Sequence, residues 1–263
     1  MHSACSIINC YLKRYIFIVL ILFPFSEDLF AQSWTNGISG TTVDLNGIHF
    51  ANADTGWAVG NNGTVIYTAN GGANWNSQVS GTGNQLNGGH FRNANIGWVV
   101  GNNGTIIYTA NGGTNWSSQV SGTGNSLNDI YFSGANTGWA VGDGGTIIYT
   151  TNGGTNWSSQ ASGTGNSLNG VYFLDANNGW AVGNGGTIIY TTNGGTNWNS
   201  QVSGTTNNLY DVSFFNVNKG WASGASGTIL NYTNLPVLSA IGNKNINENQ
   251  QHSTKDSYNS ALM

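Results

Sequence analysis

Charge is what this chain most conspicuously lacks. Its 263 residues include 6 Lys and Arg against 10 Asp and Glu, so 6% of the chain is charged. A disordered, solvated chain usually carries much more net charge, so this composition argues for a folded one. The net charge is −4 and no basic patch occurs, which excludes nucleic acid as a partner. Proline occurs only twice. Cysteine is limited to Cys5 and Cys10, both ahead of the longest apolar run of the N-terminus. Loss of that segment leaves no thiol, no disulfide and no thiolate metal ligand, and no Cys follows the run as a lipidation site.

The apolar run is itself short. Lys13 and Arg14 precede Tyr15–Phe25, a stretch of 11 residues, and Ala31 offers a small residue for cleavage. A membrane span needs about 20 apolar residues. Residues 1–31 therefore read as a secretory signal, with an uncleaved anchor as the alternative. This predicts a periplasmic or extracellular protein with no stable membrane insertion after cleavage.

What the chain has in abundance is glycine, 40 residues of it, amid Asn, Thr and Ser, a composition of short strands and tight turns. All ten tryptophans fall on two ladders with a spacing of 41 residues. One is Trp34, Trp75, Trp116, Trp157 and Trp198; the other is Trp57, Trp98, Trp139, Trp180 and Trp221. A fixed period of this length is the mark of a repeat architecture.

The first full unit runs from Leu45 to Gln85. Leu45–Phe50 alternates as a half-buried strand does. Gly56–Gly60 is a second strand. Asn61-Asn62-Gly63 is a hairpin turn, since Asn and Gly accept positive φ cheaply. Thr64–Thr68 is a β-branched third strand. After a turn at Asn70-Gly71-Gly72, Asn74–Ser80 forms the fourth. Four strands in about 41 residues is the size of a propeller blade. Further units begin at Leu86, Leu127, Leu168 and Leu209.

The fifth copy is incomplete. It reaches Leu235-Pro236 where the others have Gly-Gly, and its fourth-strand Trp is missing. Trp34 precedes Leu45 by 11 residues, as Trp75 precedes Leu86. Ser33–Asp44 is therefore expected to pair with Gly227–Tyr232 as the fifth blade's fourth strand. The fold predicted is all-β: a five-bladed β-propeller over residues 33–234, closed by its N-terminal strand. An open solenoid is the rival, though it leaves both edges bare. Residues 235–263 leave the pattern and read as a polar, disordered tail.

Thr68-Ala69-Asn70-Gly71-Gly72-Ala73-Asn74-Trp75 resembles the Asp-box of bacterial neuraminidase repeats. Thr109, Asn111, Gly113 and Trp116 repeat it, as do Thr150, Asn152, Gly154 and Trp157, and Thr191, Asn193, Gly195 and Trp198. The whole unit is similar to the repeats of the photosystem II stability/assembly factor family. That resemblance implies a propeller that binds a partner protein. Two departures limit it. The box Asp is Asn throughout, which keeps the turn-forming oxygen and loses the charge. The partner site attributed to the family is an arginine-rich surface, whereas the predicted propeller holds one arginine, Arg92, and one lysine, Lys219.

Catalysis finds little support. The lone Arg92 cannot build the arginine cluster that a sialidase resemblance implies. Asp44, Asp129 and Asp211 lie near first-strand starts, with Asp143 in a turn of the same face, and Asp54 and Asp175 in the opposite loops. Two facing carboxylates are what a glycosidase needs, but turns and caps also favour Asp. His49 and His90 occupy equivalent positions that become Tyr131, Tyr172 and Ser213 later, so no convergent metal set forms. The Trp ladders read as core between blades.

The expectation is a secreted, non-enzymatic binding or scaffold module: a monomer with no cofactor, metal or catalytic residue, whose partner is a protein or glycan. The alternatives are a glycan-binding lectin, a glycoside hydrolase-like propeller, and an assembly factor for a membrane protein complex. The candidate ligand face is the row of second-to-third-strand turns bearing Asn61, Asn102, Asp143 and Asn184, where near-identical sites give avidity.

Overall fold

The computed structural model describes residues 36–233. These form antiparallel sheets and short 3-10 turns only. Sheet 1 holds β1 (Leu45–Phe50), β2 (Gly56–Gly60), β3 (Val65–Thr68) and β4 (Asn76–Gln78). Sheet 2 holds β5 (Leu86–Phe91), β6 (Gly97–Gly101), β7 (Thr105–Thr109) and β8 (Ser117–Gln119). Sheet 3 holds β9 (Leu127–Phe132), β10 (Gly138–Gly142), β11 (Ile147–Thr150) and β12 (Ser158–Gln160). Sheet 4 holds β13 (Leu168–Phe173), β14 (Gly179–Gly183), β15 (Ile188–Thr191) and β16 (Asn199–Gln201). Sheet 5 has three strands, β17 (Leu209–Asn216), β18 (Lys219–Gly224) and β19 (Ile229–Thr233).

Each sheet is a meander in sequence order, and one register recurs. Trp57 faces Tyr67, Trp98 faces Tyr108, Trp139 faces Tyr149 and Trp180 faces Tyr190. The fourth strands are short, three residues each, because only that stretch pairs with the third strand. Neighbouring sheets pack face to face, with β1 beside β5, β5 beside β9, β9 beside β13 and β13 beside β17.

The core lies between sheets. Trp98, Val100 and Ile106 of sheet 2 pack on Leu127, Ile130, Phe132, Ala140, Ile148 and Trp157 of sheet 3. Equivalent clusters join sheets 1 and 2, 3 and 4, and 4 and 5. Trp57, Trp98, Trp139 and Trp180 of the second strands each stack on the first-strand Phe of the next sheet, as in Trp139 on Phe173 at 3.5 Å and 9°. Phe91, Phe132 and Phe173 also meet the box Trp of their own sheets edge-on, as in Phe173 and Trp198 at 5.8 Å. Offset and edge-on pairs are the favoured aromatic geometries and strengthen each interface beyond area burial.

The ends of the series differ. Among the described residues β19 pairs with β18 alone and no strand adds to its outer edge, and residues 36–44 form no strand. Ser33, Trp34 and Thr35 lie outside the described residues, as do 1–31 and 235–263, so the signal and tail expectations fall there too. Ile48 and Phe50 of sheet 1 are 67% and 39% exposed, and Trp221 of sheet 5 is 38% exposed.

Candidate functional site

The candidate face is built from the turns between second and third strands. Four are 3-10 turns and the one at residues 102–104 is a plain hydrogen-bonded turn, and the second residue of each is left-handed: Asn62 at φ 54, Asn103 at φ 57, Gly144 at φ 62, Gly185 at φ 64 and Ser226 at φ 56. Asn and Gly tolerate that region, and four of the five turns place one of them there, with Ser226 the exception.

The first turn residue ties the turn to the incoming first strand. The N–H groups of Asn61, Asn102, Asp143 and Asn184 donate to the carbonyls of Asp44, Gln85, Ser126 and Ser167 at 2.9–3.0 Å. Their side-chain oxygens accept from Asn46, Asn87, Asn128 and Asn169 at 3.0–3.2 Å. Those same Asn amides donate across the interface to the carbonyls of Leu86, Leu127, Leu168 and Leu209 at 2.7–2.9 Å. The structure thus brings the four candidate residues into one repeated relay. One oxygen of each holds a strut to the next sheet, and the Asn61 amide also donates to Asp44 Oδ2 at 3.3 Å. Nothing in the sequence pattern singles out the struts beyond the Leu-Asn pair that opens four of five units. The fifth has Tyr210, which is exposed.

The box residues form closed turns. The Thr68 hydroxyl donates to Asn70 Oδ1 at 2.9 Å and accepts from the N–H of Gly72 at 2.9 Å. Asn70 Oδ1 also accepts from Asn74 N at 2.9 Å. The same bonds recur at Thr109, Asn111 and Gly113, at Thr150, Asn152 and Gly154, and at Thr191, Asn193 and Gly195. An amide oxygen does here what a carboxylate does in the charged box.

A glutamine locks each of the last three boxes to the sheet before it. Gln78 Nε2 donates to Gly112 O at 2.8 Å, and Gln78 Oε1 accepts from Trp116 Nε1 at 3.3 Å. Trp57 Nε1 donates to the same carbonyl at 3.3 Å. Gln119 and Gln160 repeat this with Gly153 and Trp157, and with Gly194 and Trp198. These glutamines also escape sequence reading, because their partners lie one repeat away.

The first strands carry the titratable groups. His49, His90, Tyr131 and Tyr172 line up in a file of tilted and edge-on rings, with centroids 5.2, 4.8 and 5.1 Å apart. Burial pushes His90 down to about 4, with His49 and Arg92 adding to the effect, and burial lowers His49 as well. Both imidazoles are neutral at pH 7. Burial and the neighbouring Tyr172 push Tyr131 up to about 12. His49 Nδ1 is buried without a partner.

Asp129 spans an interface. Its oxygens accept from Ile130 N at 2.8 Å and from Val171 N of the next sheet at 2.9 Å. Burial raises its carboxyl to about 7 and the Asp211 charge raises it further, against the pull of the two N–H groups. Asp211 binds its own neighbour, Val212 N, at 2.8 Å. Asp44 accepts from Asn61 and Asp175 from Asn177 and Asn178, as turn and cap residues do. Among the described residues no group of three His, Cys, Asp or Glu stands close enough to hold a metal.

A cavity of about 340 Å³ opens between sheets 4 and 5, with Trp180, Gln201, Phe214, Trp221, Leu230 and Tyr232 in its lining. Trp180 Nε1 is buried with no hydrogen-bond partner. No helix of the described residues is long and apolar enough to cross a membrane.

The family profile for the photosynthesis system II assembly factor YCF48 matches residues 27–120, 82–164, 116–200 and 159–233. No curated protein matches the sequence. Among solved structures, the WD40 beta propeller domain of Doa1 is similar with TM-score 0.58 and 14% identity over 75% of this chain and 69% of that one. An ancestral GH74 enzyme is similar with TM-score 0.55 and 18% identity over 76% of this chain and 32% of that one. A structure of YCF48 bound to D1 peptide gives TM-score 0.44 and 18% identity over 78% of this chain and 99% of that one. The fold is that of a β-propeller.

Proposed function

Since the chain belongs to the photosynthesis system II assembly factor YCF48 family, we propose that it is a secreted, non-enzymatic propeller that binds a protein partner. What supports the non-catalytic part is the occupation of its capable side chains. The Asp129 carboxylate takes two backbone N–H groups across an interface, and the box amides close turns. The neutral His pair lies ring against ring, tilted at 38°, rather than aimed at an acid.

The observation that carries the binding reading is the repeated turn row. Asn61, Asn102, Asp143 and Asn184 are spaced one repeat apart, each held by an Asn strut with polar capacity left over. A held donor loses less entropy on binding than a free one. Single-site affinity on the order of mM to tens of μM is expected for such small polar contacts, raised where ligand is dense. The ligand is a neutral polar segment, since the described residues hold one arginine and one lysine. In architecture we read five blades, the fifth completed by Ser33–Asp44.

The test is parallel screening of the purified chain on a tiled peptide array, a glycan array and a panel of chromogenic glycosides. Peptide binding weakened by Asn102→Ala and Asn184→Ala supports the proposal. Glycan binding alone converts it to a lectin. Glycoside turnover abolished by Asp129→Asn overturns it.

A further inference from the structure

The interface between sheets is assembled from the same three bonds wherever it is complete. The second-strand Trp N–H and the fourth-strand Gln amide both reach the box glycine carbonyl of the next sheet, and the next box Trp N–H returns to that Gln. At the junction of sheets 4 and 5 all three fail. Trp180 Nε1 is buried and unpartnered, Gln201 makes neither bond among the described residues, and the cavity lies beside both. Position 239, where the box Trp falls due, holds Ser239. Five repeats before it stands Trp34.

We propose that this site is filled by the N-terminal strand of a second copy of the chain. The proposal rests on the reading of Ser33–Asp44 as the missing fourth strand, and adds which molecule supplies it. The linker after that strand is described and has the conformation of the interior linkers. Ser39 Oγ donates to Thr41 O at 3.0 Å and Val43 N to Thr41 Oγ1 at 3.1 Å, the bonds that Ser80, Thr82 and Asn84 make. Gly40 has φ 75 where Gly81 has φ 77. In the interior this linker joins the fourth strand of one sheet to the first strand of the next. By that repeat spacing, the segment before Ser39 corresponds to the fourth strand of a sheet that would precede sheet 1.

Sheet 5 of the same chain does not lie there. Ile48 and Phe50 are open to solvent on sheet 1, and Trp221 and Ile229 on sheet 5. The two ends present the two halves of an interface the chain makes four times inside itself. A second copy brings sheet 1 against sheet 5, with Phe50 on Trp221, while its Trp34 fills the cavity and donates to Gln201 Oε1. Such a contact is head-to-tail and repeats into a ring or a filament. It is weaker than the interior ones: Ser223 stands where the other sheets have Val59, Val100, Val141 and Val182, and Asn231 where they have Tyr67, Tyr108, Tyr149 and Tyr190. Assembly is therefore reversible on dilution.

The pairing has a definite register. Tyr149 faces Ser158 and Tyr190 faces Asn199, which extends by one repeat to Asn231 facing Thr35. In a Cys5→Ser, Cys10→Ser background, Asn231→Cys and Thr35→Cys chains are prepared separately, mixed and mildly oxidised. The expected product is a covalent pair of chains. Light scattering across a concentration series should give multiples of the chain mass, and Trp34→Ala or Ile48→Lys should raise the association midpoint at least about tenfold. A single chain bearing both cysteines that closes on itself as a monomer overturns the second copy and keeps the strand. No cross-link in either format, with Trp34→Ala unchanged in mass and melting temperature, overturns both.

Discussion

Sheets 3 and 5 share a sequence plan and live in different surroundings. Trp139 of sheet 3 is fully buried, stacked on Phe173, and donates to Gly194 O at 3.2 Å. Trp221 of sheet 5 is over a third exposed, and its ring contact is with Lys219, whose Nζ lies 5.5 Å away. The residue type and its ladder position are the same. What differs is whether a next sheet exists. A repeat of this kind holds its core in the gap between copies, so a single copy owns half a core on each side.

The widest test of that contrast is truncation of the two tryptophans. Trp139→Ala should lower unfolding free energy by about 3–5 kcal/mol, as a large buried deletion does. Trp221→Ala in the monomeric state should cost less than about 1 kcal/mol. Chemical denaturation at low protein concentration measures both, and equal losses would show that sheet 5 is as enclosed as sheet 3.

A subtler pair isolates one hydrogen bond. Trp139→Phe removes a bonded N–H and should cost about 1–2 kcal/mol beyond its lost volume. Trp180→Phe removes a buried N–H that lacks a partner among the described residues and should cost about that much less. If the two variants lose stability equally at low concentration, Trp180 already has a partner in the monomer.

The two kinds of buried titratable group give opposite pH slopes. Asp129 is raised from 3.8 to about 7, so the folded state binds its proton more tightly than the unfolded chain. Its contribution is fully present below about 4 and is lost as pH rises through about 7. His90 is lowered from 6.5 to about 4, so its contribution is present above about 6.5 and is lost as pH falls through about 4. Wild-type stability between pH 4 and 7 is the sum of these opposed trends. In Asp129→Asn only the histidine trend remains, so melting temperature should rise with pH more steeply than in the wild type. Parallel profiles for the two proteins would show that Asp129 keeps an ordinary carboxyl.

The smallest effect concerns the left-handed turn residue. Sheets 3 and 4 place Gly144 and Gly185 there, while sheet 5 places Ser226 at φ 56. Ser226→Gly should stabilise by up to about 1 kcal/mol, whereas Asn62→Gly should be near neutral, because Asn tolerates the region. Matched thermal melts decide it, and a destabilised Ser226→Gly would mean that the serine side chain has a use in the turn.

What could be read in the sequence follows what is locally determined. The all-β class, the 41-residue period and the turns were legible, because Gly, Asn and alternating apolar residues act within a few positions. Asn87, Gln119 and Asp129 were not legible as struts. Their partners Leu127, Gly153 and Val171 stand 34–42 residues on, and only stacking brings them near. The Asn of the candidate face were legible as turn formers, but their bond to the struts was not. The openness of Trp221 was hidden for the same reason: its ladder looks uniform, and exposure depends on a neighbour that the ladder does not encode.

The clamps have a kinetic consequence. The Asn, Gln and Trp bonds between sheets join residues 34, 38, 40 and 55 positions apart, and no wider span recurs among them. Every docking step therefore closes a loop of about one unit, so the entropy of closure stays constant however many units are present. Such a chain can nucleate at any adjacent pair and grow outward like a zipper, in either direction. Nor does an added unit demand a new interface, because the one it needs is already written into its neighbour. A gene that duplicates 41 codons lengthens the protein without asking it to relearn how to fold.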